Sequence, residues 1–342
     1  MKENITNQKG TTMPNKKKRY CVLDSETATM PFANELASGD PEKKKKIAIA
    51  KPLIYDIGWT LTDRQGNIYD RKQFLIAETF AVPQIFNTAY YADKRPIYLE
   101  MLQRGETQIK PWNEVIDILL RDLETVDAVG AYNSMFDFKK AIPFTDLYIH
   151  KLYSPDYQQW EEQQKQFCNY ILNNPPRNQR NPDFEEDVFR FRGKAYPLFD
   201  LWGLAAKVLL NNASYKKECL NHDLLSASGL YFKTSAETAF QYLCNKYDFV
   251  ESHTALDDAE IETFILSKIA ARHSIEIGIS FFPFRELGET IDFCMRLKTP
   301  NKGECETVKA ALELHLETKD ESTAYYKKVE KKLNTLKIYM GV

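Results

Sequence analysis

The sequence predicts an α/β protein built on a mixed sheet with helices on its faces. Two observations predict it. Three short apolar runs separated by turn signals open the ordered part of the chain, which is the pattern of an antiparallel meander. After residue 110, apolar strands alternate with helical patterns, which calls for crossover connections and parallel pairing. The order of strands and helices counts to five strands.

The elements follow in turn. Residues 1–18 read as a disordered basic leader; within residues 1–19, Lys2, Lys9, Lys16, Lys17, Lys18 and Arg19 stand against Glu3 alone. Arg19–Glu26 is a strand that ends in carboxylates. Residues 27–51 are irregular, with Pro31, Gly39, Pro41 and the run Lys43–Lys46. Ile54–Thr62 and Ile68–Ile76 are strands joined by the turn Asp63-Arg-Gln-Gly-Asn67. Residues 83–104 have helical spacing. Pro111 opens a helix whose apolar face is Val115, Ile116, Ile118, Leu119, Leu120 and Leu123. Val126–Tyr132 is a strand, and Phe136–Ile149 a helix that Pro143 should kink or break.

Residues 150–195 change composition to Gln, Asn, Glu and Arg, with Asn-Asn-Pro-Pro at 173–176, and read as an insertion. Pro197–Trp202 is a strand, followed by helices at 203–211 and 216–229. Thr234-Ser-Ala-Glu237 has the spacing of a capping box opening helix 235–246. His253 lies in the next loop and residues 257–272 form a helix. Residues 273–342 are a C-terminal extension with an aromatic segment, Ile279–Phe284, and a charged helical tail at about 305–338.

Composition sets outer bounds. With 342 residues, 43% hydrophobic and 27% charged, the chain can build a real core. A net charge of −2 neither requires nor excludes a nucleic-acid partner, which needs only a local basic track. Six scattered cysteines without CxxC spacing argue against a zinc site and for reduced thiols in a cytoplasmic setting. No apolar h-region opens the chain, and no apolar run approaches the ~18 residues of a transmembrane helix. A cytoplasmic protein without membrane contact is expected.

Three groups of residues carry chemistry. Asp24 and Glu26 are two apart on a strand, so both side chains leave the same face. Paired carboxylates repel unless cations lie between them, and hard ions such as Mg²⁺ or Mn²⁺ take such oxygen ligands. Asp137 follows a strand at the start of a helix, where it also fits a cap or a favourable helix-dipole contact. His253 precedes Asp258 by five residues. Asp257 and Asp258 both fit the opening of that helix, Asp257 as its N-cap.

Taken together, Leu23-Asp24-Ser25-Glu26-Thr27, then Ala131-Tyr-Asn-Ser-Met-Phe-Asp137, then His253-Thr-Ala-Leu-Asp-Asp258-Ala resemble the three motifs of the DEDDh 3′→5′ exonuclease family. That family includes the proofreading subunit of bacterial replicative polymerase, and the resemblance covers about residues 19–272. It implies a ribonuclease-H-like five-stranded sheet and an exonuclease domain spanning those residues. It implies two divalent cations, Mg²⁺ or Mn²⁺, held by Asp24, Glu26, Asp137 and Asp258, with His253 as general base. It also places Thr27 and Phe136 beside the 3′-terminal nucleotide. Family spacing selects Asp258 over Asp257 as ligand. The chain departs from the family in Ala28, where glycine is common, and in Tyr132, where histidine is frequent.

The substrate expected is the 3′ end of single-stranded DNA, with an exoribonuclease as the alternative. A third reading is a non-catalytic nucleic-acid-binding module, or a subunit docked on a polymerase or replication protein through the extension.

Overall fold

The computed structural model describes residues 18–32, 52–151, 161–166, 168–169, 188–225, 232–278 and 324–342, with positions 305, 306, 309, 310, 313 and 316. The leader up to residue 17, the Lys43–Lys46 run, most of the insertion, residues 226–229 of the expected 216–229 helix and the Ile279–Phe284 segment lie outside them.

Strand alternation divides the interior. In β1 (Arg19–Ala28), Tyr20 and Val22 enter one apolar cluster, whereas Cys21 and Leu23 enter another. β1 pairs antiparallel with β2 (Leu53–Asp63), which pairs antiparallel with β3 (Ile68–Ile76). On its other side β1 pairs parallel with β5 (Ala128–Ala131), and β5 pairs parallel with β7 (Lys194–Asp200). The meander and the crossover strands are those the sequence predicts.

With β4 (Gln108–Lys110) and β6 (Val188–Phe191) the sheet has seven strands rather than five, in the order β4-β3-β2-β1-β5-β7-β6. These two additional strands are the edges. Three or four residues carry too little periodicity to be read as strands. β6 lies inside the expected insertion and forms a hairpin with β7, which begins earlier than Pro197.

Three other expectations are corrected. The helical spacing of 83–104 resolves into a short turn at Pro83–Phe86, a 3₁₀ turn at Ala92–Lys94, and α1 (Arg95–Arg104), after a separate turn at Ala77–Phe80. Phe86 and Tyr98 both pack edge-on against Tyr55 and Phe80, and one straight helix over 83–104 cannot aim the two of them there. The Thr88 hydroxyl also ties this segment to both backbone groups of Thr29 at 2.9 Å.

Pro143 does not break its helix. A π-helical segment, Asp137–Ala141, precedes α3 (Ile142–Lys151). The Ile142 N–H reaches back five residues to the Asp137 carbonyl, so the wider turn accommodates a ring that lacks an N–H. The capping motif is shifted by one residue. Ser235, not Thr234, caps α6 (Ala236–Cys244) by accepting from Thr238 N. Glu237 is turned instead to the N–H of Glu251 at 3.1 Å.

On the Cys21–Leu23 face packs α2 (Trp112–Leu123), which buries Val115, Ile116, Leu119 and Leu123 as its spacing predicts. The Val22 face is covered by α4 (Leu201–Leu209), α5 (Ala213–Asn221) and α7 (Ala255–Ala270). α5 begins three residues earlier than expected, after an Asn212 cap. Leu333 and Leu336 of α8 (Ala324–Met340) are buried in that same cluster, so part of the C-terminal extension is core.

The placement of α7 rests on Gly58. A Cβ there would lie 2.4 Å from Leu256 N and 2.6 Å from the Ala255 carbonyl carbon, so the helix start lies directly on the strand. Gly58 pairs with Asp24. Gly58→Ala is expected to destabilise the fold by about 1–3 kcal/mol through overpacking against backbone. Urea unfolding would measure it, and an unchanged midpoint would show that α7 does not rest on β2.

Candidate functional site

Asp24 and Glu26 stand on one face of β1, next to a register shift between Glu26 and Thr27. Across the sheet, Asp24 faces Gly58, where α7 begins. Asp56 caps that helix, since its Oδ2 accepts from Ala255 N at 2.9 Å and both its oxygens accept from Gln73 Nε2. The N-cap position itself is Thr254, whose side chain does not cap. Asp257 is therefore not the cap the sequence suggests. It lies in the first turn, where its Oδ2 accepts from the hydroxyls of Ser252 (2.8 Å) and Thr254 (2.9 Å). Asp258 points inward and is only 7% exposed.

The loop before α7 presents His253 with a left-handed backbone (φ 54°), which costs on the order of 1 kcal/mol away from glycine. The Tyr98 hydroxyl donates to the His253 carbonyl at 3.4 Å. Tyr91 stacks on the imidazole with centroids 4.2 Å apart and planes at 13°, its hydroxyl 3.1 Å from Nε2. Lys94 lies 4.6 Å from the Tyr91 ring centroid and donates to the Ser252 carbonyl. His253 Nδ1 is 3.8 Å from Asp258 Oδ2 and 3.9 Å from Glu251 Oε2.

Glu26, His253 and Asp258 each offer a donor atom within 4.8 Å of the other two. Asp24 and Asp137 stand outside that compact set. Asp137 arrives at the start of the π-helical segment, and its Oδ1 accepts from Ser25 Oγ at 2.5 Å. It still bears on Asp24 and Glu26 electrostatically. Of the two expected nucleotide neighbours, Thr27 is half-buried at the end of β1, and Phe136 packs against the apolar cluster that contains Leu23.

Two functional candidates escape the motif. Glu262 is one helical turn after Asp258 on α7, is 2% exposed, and accepts from Tyr132 N at 3.1 Å. The i,i+4 spacing of two acids in a helix otherwise rich in buried apolar residues is the signal that would have found it. Asp200 ends β7 and accepts from Ser134 N and Oγ (2.9 and 3.1 Å) and from Gly203 N (3.0 Å). It thereby fixes both α4 and the turn that leads to Asp137. Read as mid-strand, it had no visible task.

Burial and crowding set the charge state. Burial first, then Glu262, Asp137, Glu26 and Asp258, push Asp24 well above the usual carboxylate range. Burial and then Asp258 push Glu26 up to about 9, with Lys94 opposing. Burial and then Glu251 raise Asp258 to about 8, again against Lys94. Burial raises Asp137 to about 7 against the Ser25 hydrogen bond. Burial and then Lys94 lower His253, so its ring is neutral near pH 7.

Oxygen ligands of this kind suit a hard divalent cation, and Glu251 Oε1 and Asp258 Oδ1 both lie buried here without a partner among the described residues. No protein-family model, curated protein or solved structure matches the chain. Among the described residues no helix is long and apolar enough to cross a membrane.

The raised carboxyls mean that the folded chain holds protons the unfolded chain has released. Their stability is fully present below the unfolded carboxyl pKa and is lost as pH rises through about 7 to 9. In EDTA the melting temperature should therefore fall from pH 5 to pH 9. A flat profile would mean that these acids ionise without penalty.

Proposed function

We propose that this chain is a metal-dependent 3′→5′ exonuclease of the DEDDh type on a ribonuclease-H-like sheet, acting on single-stranded DNA. The observation that carries it is the convergence of Glu26, His253 and Asp258 within 4.8 Å, beside Asp24 and Asp137, from three separate chain segments. The antiparallel meander with β5 parallel to β1 supports the fold assignment.

Asp24, Glu26, Asp137 and Asp258 would hold two divalent cations, Mg²⁺ or Mn²⁺. Bound there, such ions supply a more acidic water and neutralise charge at the leaving 3′ oxygen. The rest is the work of the chain. The Nε2–H tautomer, whose proton the Tyr91 hydroxyl 3.1 Å away would accept, would leave the His253 Nδ1 lone pair on the Asp258 side. That nitrogen takes a proton from water attacking the terminal phosphodiester. Burial and Lys94 keep the imidazole neutral and able to do so. Tyr91 holds the ring plane, and Asp200 and Ser25 hold Asp137 in place.

End-labelled DNA and RNA oligonucleotides incubated with Mg²⁺ or Mn²⁺ test this reading. Mononucleotides are expected from the 3′ end, faster from DNA. Internal cutting alone, or hydrolysis in EDTA, overturns it, and faster release from RNA moves the substrate to the alternative. Asp24→Ala should reduce turnover at least ~10³-fold, the scale of losing a member of a catalytic unit.

Tyr91→Phe keeps the stack and removes the hydroxyl. It should lower kcat about tenfold with KM little changed, since it disturbs the orientation of the base and not substrate binding. Equal kcat in the two proteins would show that the ring alone orients His253.

A further inference from the structure

The parallel register of β1 and β5 pairs Tyr20 with Ala128, Cys21 with Val129 and Val22 with Gly130. Carried on two residues, it sets Tyr132 level with Asp24 on the neighbouring strand. Glu262 accepts the Tyr132 N–H at 3.1 Å, so its carboxylate lies at that level. It comes from the correct side. Ile261 and Ile265 of α7 share a cluster with Val22, and Val22 and Asp24 leave the same face of β1. Asp258, one turn earlier on α7, reaches Glu26 and His253.

A glutamate 98% buried for the sake of one backbone hydrogen bond is an expensive way to satisfy an N–H, because a neutral acceptor would serve without a charge to desolvate. The Tyr132 N–H engages Oε2 and leaves a carboxylate's remaining acceptor capacity open. The centre also contains Asp258 Oδ1, more than nine-tenths buried and without a partner among the described residues. Two buried carboxylates from one helix, one of them with an unpartnered oxygen, ask for a positive charge between the helix and β1.

We propose that Glu262 is a fifth carboxylate of the cation-binding centre, on Asp24's side, joining β1 and α7 through a divalent ion. The proposal rests on the metal-centre reading above. It differs from that reading in assigning cation affinity to a residue outside the three motifs.

Glu262→Gln tests it in the full chain, because glutamine keeps an amide oxygen for the Tyr132 N–H and loses the charge. Mn²⁺ titration is followed by the rise in melting temperature. Wild-type protein is expected to be stabilised by Mn²⁺, and Glu262→Gln to bind about tenfold more weakly, the lower end of the roughly 10–100-fold range for loss of a supporting group at a metal site. Without metal the variant should melt no lower than wild type, since the Tyr132 N–H keeps an acceptor. If Glu262→Gln does not fold, Glu262→Asp keeps the charge but withdraws it by one methylene, and should bind more weakly too. Wild-type Mn²⁺ affinity in whichever variant folds overturns the proposal and leaves the metal centre standing. No Mn²⁺ stabilisation of wild type, together with none in Asp24→Asn, overturns both.

Discussion

A helix backbone can rest on a strand only where no side chain stands between them. In this protein that happens at Gly58, with the first turn of α7 seated on β2. The contact is fastened by Asp56, which is wholly buried and accepts the Ala255 N–H while Gln73 holds its two oxygens. Further along the helix, Thr60 and Thr263 join hydroxyls at 2.5 Å. Shift α7 by one residue and every inward side chain on it changes. Asp258 and Glu262 would leave the sheet, and His253 would lose the loop geometry that holds it beside Tyr91.

That seating forces acids together. Each carboxyl is destabilised as an anion by burial and then by its neighbours, and Lys94 is the cation that opposes this at Glu26 and Asp258. Such crowding is costly in a protein that has no use for it, and it is the arrangement cation binding turns to advantage. The fold meets part of the cost locally through Ser25 on Asp137 and Tyr132 N–H on Glu262. The apolar clusters on both faces of the sheet do the rest by fixing β1 from two sides.

Where the sequence misled, the reason is physical in each case. Periodicity over 83–104 is real, but the aromatic side chains serve a core around Tyr55 that needs several directions of approach. Pro143 breaks an α-helix on local rules, and a π-helical segment ahead of it removes the conflict. The five strands visible in the pattern all form. The edge strands β4 and β6 are too short to announce themselves, and their existence depends on a neighbour being present. A serine beside a threonine can each open a helix, and only the backbone angles decide that Ser235 does so.

By itself the sequence determined the meander, the alternation of strands with helices and the spacing of Asp24 and Glu26 on one face, because periods of 2 and 3.6 residues are local properties. It also set Asp258 apart from Asp257 only through resemblance. Tertiary structure decided which acids meet. Asp137 is 112 residues from the Ser25 hydroxyl it binds, and Glu262 is 130 residues from Tyr132. No local rule carries across such distances. It takes parallel pairing of β1 with β5, and a helix lying on Gly58, to convert separate positions in the chain into one cluster of carboxyl groups.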